Sequence, residues 1–326
     1  MKIPVQLEQP FLDTSTTVMD DLKIGVVILN WNKPVDTMSC IKAVQSSNYQ
    51  NHEIIVVDNA SSDESVKMIQ QVHPEIDIVQ IKENLGYTGG NNLGIRYLID
   101  KFAGTKTGPD YFLLLNEDTY INENTLVALT STALRYPEAG FLGPKVLFRD
   151  DPKRFLSAGG ILDKGYLPYL RGAGEIDQGQ YEDVCSVDYL SGCALMVSKR
   201  VIDDIGLLDE DYFMYFEEID WCYRAKEAGF SSIYVPTARA WHPNTGLRDA
   251  GSAVITYYAV RNHLLFAQRN HLGWTNQVKL WRNFIRLWLV WTVQPRWRSK
   301  RMEKRALKSA LIDFIYQRFG KWKSAA

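Results

Sequence analysis

Tyr111-Phe112-Leu113-Leu114-Leu115-Asn116-Glu117-Asp118 sets an unbroken apolar run against three polar residues. A run without alternation suits a strand buried on both faces, the usual environment of a parallel sheet. The same pattern occurs twice upstream. Lys23-Ile24-Gly25-Val26-Val27-Ile28-Leu29 stops at Asn30, and Glu53-Ile54-Ile55-Val56-Val57 stops at Asp58. Helix-period segments separate these runs. Residues 34–47 place Val35, Met38, Ile41 and Val44 at helical spacing, and Ser62 or Asp63 can cap a helix through Val66, Met68 and Ile69. A strand over 76–81 and a helix over 91–102 complete the series. The alternation predicts an α/β fold with a mainly parallel central sheet and helices on both faces. Ligands of such sheets bind beyond the carboxyl ends of the strands. Asn30, Asp58, Asn116, Glu117 and Asp118 therefore form one candidate site.

The pattern changes after about residue 148. Ser157-Ala158-Gly159-Gly160 and Arg171-Gly172-Ala173-Gly174 are turn-rich, so 155–180 reads as hairpins or an ordered loop near the site. Strand character returns over 184–197 and 230–235, with a helix over 217–228 between them. Three units are expected: a tail over 1–20, an α/β domain over 21–250, and a basic, tryptophan-rich helical region over 251–326.

With 46% apolar and 23% charged residues, the composition is that of a globular protein. The net charge of -1 hides an asymmetry. Residues 271–326 carry 13 Lys and Arg against 2 Asp and Glu, while the rest carries 24 basic and 36 acidic groups. A basic end on an acidic body is expected to meet an anionic surface. Cys40, Cys185, Cys193 and Cys222 show no CxxC spacing and read as buried thiols. The first twenty residues lack the apolar core of a secretory signal, and 287–295 is far shorter than the ~20 residues that span a bilayer. A cytoplasmic location is expected, with contact to the inner face of the plasma membrane.

Four groups of residues carry chemistry. The acidic groups in Asn116-Glu117-Asp118 need compensation, which Mg²⁺ or Mn²⁺ supplies; a solvated turn or the N-cap of a helix over 122–134 is the plainer reading. Glu217, Glu218 and Asp220 fall within four positions at a helix start. Glu217 and Asp220 lie together at i,i+3, leaving Glu218 free to accept a hydroxyl proton; acids suited to the helix dipole are the alternative. His242, between a strand and Pro243, is either structural or a nitrogen ligand brought to Asp118. Asn84-Leu85-Gly86-Tyr87-Thr88-Gly89-Gly90 lets backbone approach a ribose or phosphate, and it matches neither a P-loop nor the dinucleotide fingerprint.

Taken in order, VVILNWN, IIVVDNASSD, NLGYTGGNNLGI, FLLLNEDT, the long segment DYLSGCALMVSKRVIDDIGLLDEDYFMYFEEIDWCYRAKEAGF and AWHP resemble glycosyltransferase family 2. These are inverting enzymes of the Rossmann-like GT-A fold, and the resemblance is nearest to the bacterial rhamnosyltransferase-like branch. It implies a donor site at Asp58, which would read base and ribose, with Asn30, Asn84, Gly86, Gly90, Asn116, Glu117, Ser191 and Gly192. Asn116, Glu117 and Asp118 occupy the family's DxD position, with Asp118 as metal ligand and His242 completing the site. Asn116 replaces the first aspartate and leaves less negative charge at the metal. Glu218 falls at the general-base position, with Glu217 and Asp220 as alternates. The resemblance further implies dTDP-L-rhamnose as donor, a UDP-sugar being the alternative, and a glycan or lipid-linked acceptor. A non-catalytic nucleotide-sugar-binding module is the rival reading. A sugar nucleotidyltransferase would need a GxGxRxxP stretch that 26–34 does not offer.

Six of the nine tryptophans lie beyond residue 270. Trp281, Phe284, Ile285, Trp288 and Trp291 or Thr292 share a helical stripe beside Lys279, Arg282 and Arg286, as in a helix lying in a membrane interface. Packing on the catalytic domain or a homodimer contact is the alternative. No nucleic-acid-binding motif accompanies the charge.

Overall fold

All seven residues of β1 (Ile24–Asn30) are buried. Val27 and Leu29 enter one core with Ile55, Val57 and Leu114, whereas Val26 and Ile28 enter another with Val56, Leu113 and Leu115. Both faces of the strand are covered, which is why its sequence runs apolar without alternation. The computed structural model describes residues 22–243 and 251–323. The expected tail over 1–20 and the expected boundary at 250 lie outside the described residues.

In chain order, β1 is followed by α1 (Pro34–Gln45), β2 (His52–Asp58), α2 (Ser65–Val72), β3 (Asp77–Gln80), α3 (Gly86–Lys101) and β4 (Tyr111–Asn116). Then come β5 (Tyr120–Ile121), α4 (Thr125–Arg135), β6 (Ala139–Phe148), β7 (Phe155–Ser157), β8 (Gly160–Leu162) and β9 (Pro168–Leu170). The second half adds β10 (Cys185–Val187), β11 (Ala194–Ser198), α5 (Lys199–Ile205), α6 (Glu217–Glu227) and β12 (Ser231–His242). Helices α7 (Gly251–Arg269), α8 (Trp274–Val293) and α9 (Arg301–Ile315) follow.

The main sheet runs β10-β12-β6-β11-β4-β1-β2-β3. From β3 to β4 it is parallel, and the antiparallel β11 joins β4 to β6. The α/β architecture read from the alternating runs is therefore present, with a mixed second half. Helices α1 and α4 cover one face through Ile41, Val44, Leu126 and Leu129; α3 and α6 cover the other through Ile95, Leu98, Ile219 and Trp221. The turn-rich stretch after β6 does form strands, with β7 on β6 and β8 against β9.

Two features differ from expectation. Helix α3 starts at Gly86, so the glycine-rich segment is the helix's first turns rather than a loop before it. Gly90 faces β1, where a Cβ would lie 2.4 Å from Leu29 Cδ1, so its bareness lets helix and sheet approach. The C-terminal helices also share the body's core. Leu265, Phe266 and Ala267 of α7 join the sheet-side cluster, while Tyr257, Tyr258 and Val260 pack with Ala306, Leu307 and Ala310 of α9. Trp281 packs edge-on to Phe314, and Phe284, Trp288 and Trp291 also face inward, so most of the stripe read on α8 is its packed side. All four cysteines are buried and free. Among the described residues, no helix is long and apolar enough to cross a membrane.

Candidate functional site

Register alone gathers the polar strand ends. Asn30 stands opposite Asp58, and Leu29 opposite Asn116. Asn30 is fully buried and fully used: its Nδ2 donates to Asp58 Oδ1 at 2.7 Å and to Ser61 Oγ at 3.1 Å, and its Oδ1 accepts from Thr37 Oγ1 at 2.7 Å. Ser61 N–H donates to Asp58 Oδ2. Asp58 is thus held rigidly at the edge of a cavity of about 670 Å³, whose walls include Ser61, Gln80 and Lys82.

A second cavity, of about 570 Å³, lies beside Asn84, Gly86, Asn116 and Glu117. Asn59 links the strand ends to α3, accepting from Leu85 N–H at 2.8 Å and donating to Gly86 O at 3.0 Å. Asn84 Oδ1 accepts from Gly86 N–H, and Gly86 has a φ of +73° that favours glycine. A Cβ there would come within 2.3 Å of Phe213 O. Gly86→Ala is expected to cost at least about 1–3 kcal/mol of stability through this clash and strain. Denaturant midpoints of the two proteins would test it, and unchanged values would count against a tight α3–Phe213 contact.

The charged edge follows β4. Asp118 Oδ2 accepts from Lys33 Nζ at 3.0 Å. His242 Nε2 stands 3.1 Å from Asp118 Oδ1, yet that buried oxygen has no hydrogen-bond partner. His242 Nδ1 lies 2.8 Å from Pro243 O, and its Nε2 faces Asp118 and, at 3.3 Å, Asn116 Nδ2. Burial works against the Asp118 charge, but His242 and Lys33 outweigh it and bring the carboxyl down to about 2. Burial, helped by the Asp118 charge, pushes Glu117 up to about 7. Lys33 loses some preference for its charge through burial and regains more from Asp118 and Glu117, so its pKa is raised.

The acidic helix start lies close to Tyr87 and Cys193, which feel its carboxylates. Tyr87 donates to Gly192 O at 2.6 Å, and Cys193 O accepts from Asn116 N–H and Thr119 Oγ1. The turn at Ser191, Gly192 and Cys193 is thereby tied to both α3 and β4. The Cys193 thiol, pushed up to about 12 chiefly by burial, also feels the charges of Asp118 and Glu218. Glu217 is buried and Glu218 half-buried, and the Oε2 atom of each is buried without a hydrogen-bond partner. Burial raises both carboxyls, with Glu218 reaching about 7 and Glu217 raised further by its neighbour's charge. Asp220 is not part of this pair. Its Oδ1 accepts from Tyr212 Oη and Asn270 Nδ2, and its Oδ2 accepts from Arg224 Nε at 2.7 Å.

Phe213, Tyr215 and Phe216, just before Glu217, have φ values of +66°, +65° and +77°. Such backbone persists only when its surroundings hold it. Asn262 Nδ2 lies 2.9, 2.8 and 2.6 Å from the carbonyl oxygens of Tyr212, Met214 and Tyr215. The fully buried Arg261 donates to Asp211 O, Tyr212 O and Gly320 O. Val254, Tyr258, Lys321 and Trp322 add a largely apolar wall to the second cavity. None of these C-terminal residues was a sequence candidate. The available signal was Arg261-Asn262-His263 inside an otherwise apolar helix, since a buried polar group needs a partner.

The family profile "Glycosyltransferase like family 2" matches residues 22–256. The low-salt glycan biosynthesis hexosyltransferase Agl10 of Haloferax volcanii is 33% identical over 64% of this chain and 63% of its own length. The N-acetylglucosaminyl-diphospho-decaprenol L-rhamnosyltransferase of Mycobacterium tuberculosis is 30% identical over 70% of this chain and 78% of its own. Among solved structures, GalNAc-T7 with UDP, GalNAc and Mn²⁺ superimposes with a TM-score of 0.60 at 12% identity, over 91% of this chain and 56% of that one. The last likeness concerns the fold alone and is of the GT-A kind that the sheet suggests. A profile match across most of the chain, together with the rhamnosyltransferase relative, places this protein in glycosyltransferase family 2, within its bacterial rhamnosyltransferase-like branch.

Proposed function

We propose that the chain is an inverting glycosyltransferase that moves L-rhamnose from dTDP-L-rhamnose to a hydroxyl of a glycan or lipid-linked acceptor, in the making of cell-surface polysaccharide. The observation that carries this reading is the Glu218 carboxylate, whose buried Oε2 has no hydrogen-bond partner and whose raised pKa suits a proton acceptor near neutral pH. In the proposed step Glu218 takes the proton of the acceptor hydroxyl as its oxygen bonds to the anomeric carbon. The bond from that carbon to the diphosphate breaks on the opposite face, and the electron pair leaves with the nucleotide. Glu217, next to Glu218, is also held toward its neutral form by burial and by the Glu218 charge. Asp220, saturated by its own partners, is left out of the step. The place of reaction is proposed as the cytoplasmic face of the plasma membrane.

Asp118 Oδ1 and His242 Nε2 fit a Mg²⁺ or Mn²⁺ ion, because an orphaned carboxylate oxygen and an imidazole nitrogen, both usual ligand atoms, face one another at 3.1 Å. Among the described residues no set of three His, Cys, Asp or Glu gathers for a metal. Donor phosphates and water would complete the shell, as is usual for Mg²⁺. When bound, the ion would neutralise charge building on the diphosphate. Asp58 and its Asn30–Ser61 support would hold the nucleoside end.

Thermal shift with a panel of nucleotide sugars and Mn²⁺, followed by assay for released nucleoside diphosphate, tests this reading. Saturating dTDP-L-rhamnose should stabilise the fold by about 2.7 kcal/mol at a hundredfold excess over Kd. A larger shift with a UDP-sugar would transfer the proposal to that donor, and binding without turnover on any acceptor would favour the binding-module reading. Asn262→Ala should lower kcat about tenfold to a hundredfold, equivalent to about 1–3 kcal/mol, with donor affinity kept. An unchanged kcat would mean that the turn before Glu217 holds itself.

A further inference from the structure

Helix α8 has two apolar faces, and only one is packed. None of its residues is buried. Trp281, Phe284, Leu287, Trp288 and Trp291 turn toward α7 and α9. On the other side Trp274, Val278, Ile285, Leu289 and Val293 are 77%, 55%, 46%, 48% and 74% exposed. Their spacing of four and seven residues puts them on one stripe. The exposed Lys279, Arg282 and Arg286 flank it, and the helix contains no acidic residue. At its end, a cavity of about 400 Å³ is bounded by Trp291, Val293, Trp297, Arg298, Arg301 and Lys304, with no carboxylate in its wall. The Nε1 of Trp297 is buried there without a hydrogen-bond partner. Among the described residues, none of these six cations forms an ion pair.

We propose that the outward face of α8 and the cationic groove at its end dock on an anionic phospholipid bilayer. This goes beyond the transfer reaction and does not depend on which sugar is moved. The apolar stripe would enter the boundary between headgroups and acyl chains, while tryptophans at both ends sit at headgroup depth. The arginines and lysines beside it would meet headgroup phosphates, which supply the acceptor oxygens that this surface lacks. A second copy of the chain is a poorer occupant. A two-fold contact through this face would set Lys279, Arg282 and Arg286 against their own counterparts.

The test is cosedimentation of the full chain with vesicles of phosphatidylglycerol and phosphatidylcholine, against vesicles of phosphatidylcholine alone. Wild type should pellet with the anionic vesicles only and release as salt rises. Combining Arg298→Ala, Arg301→Ala and Lys304→Ala should weaken binding roughly a hundredfold. Leu289→Asp with Ile285→Asp should abolish it at unchanged unfolding temperature and donor binding. Equal binding to both vesicle types, or full binding by either variant, would overturn the proposal. Light scattering adds a second arm: a wild-type dimer that Leu289→Asp makes monomeric would assign the face to another copy and also overturn it. Loss of sugar transfer with vesicle binding intact would bear on the reaction alone.

Discussion

Glu218→Gln is expected to bind donor as wild type does and to lose about 10²–10⁴-fold in kcat, the usual contribution of a positioned base. Glutamine keeps the shape and the helix start but cannot take a proton. The wild-type rate should rise with pH through about 7, because Glu218 acts only when ionised and burial holds its proton up to that value. The same titration affects stability with a defined sign. Both Glu217 and Glu218 are raised above the ordinary carboxylate value, so the folded chain holds protons that the unfolded chain releases. Their contribution is complete below that ordinary value and is lost as pH rises through the folded pKa, from about 4.5 to about 7 for Glu218. Denaturant unfolding on either side of this window should show a smaller loss in Glu218→Gln than in wild type. A variant with full turnover, or a wild-type profile flat through neutrality, would end the base assignment.

Asp118→Ala carries the second large effect. It removes the orphaned oxygen opposite His242 and the carboxylate that holds Lys33 in place. Wild-type release of nucleoside diphosphate should require Mg²⁺ or Mn²⁺, and the variant should lose about 10³-fold, or about 4 kcal/mol of leaving-group stabilisation. Titration of Mn²⁺ into donor-bound protein gives a reading independent of turnover, and the variant should show weaker uptake. His242→Ala should weaken uptake less, since the charged ligand remains. Turnover in excess chelator would remove the metal from the proposal and leave Lys33, 3.0 Å from Asp118, as the cation at this edge.

The carboxyl-end site was legible because buried parallel strands write themselves as apolar runs, and each run here stops at a polar residue that the register then brings together. Asn30, Asp58 and Asn116 are visible for that reason. The acidic helix start at Glu217 was visible as well, although its chain neighbours could not show that Asp220 is consumed by Tyr212, Arg224 and Asn270. Strand β6 left no comparable trace. It contains Gly140, Gly143, Pro144 and Lys145, and the buried ammonium of Lys145 is matched by Asp177 and Glu182 some thirty residues on. The wall made by Tyr258 and Trp322 and the clamp by Asn262 were hidden because they depend on a helix returning to a turn about fifty residues earlier. On α8 both faces carry apolar residues, so periodicity alone could not tell the packed one from the exposed one.

The clamp on the turn before Glu217 has a consequence for how activity is acquired during synthesis. Asp58, Asn30 and Asp118 belong to the first part of the chain to leave the ribosome, and domains build from that end. The left-handed turn through Phe213 and Phe216 receives its hydrogen bonds only when Arg261 and Asn262 have emerged, and Arg261 gains its last carbonyl from Gly320. The backbone that presents Glu217 and Glu218 is therefore secured last, after the chain that carries the strand-end residues has been made.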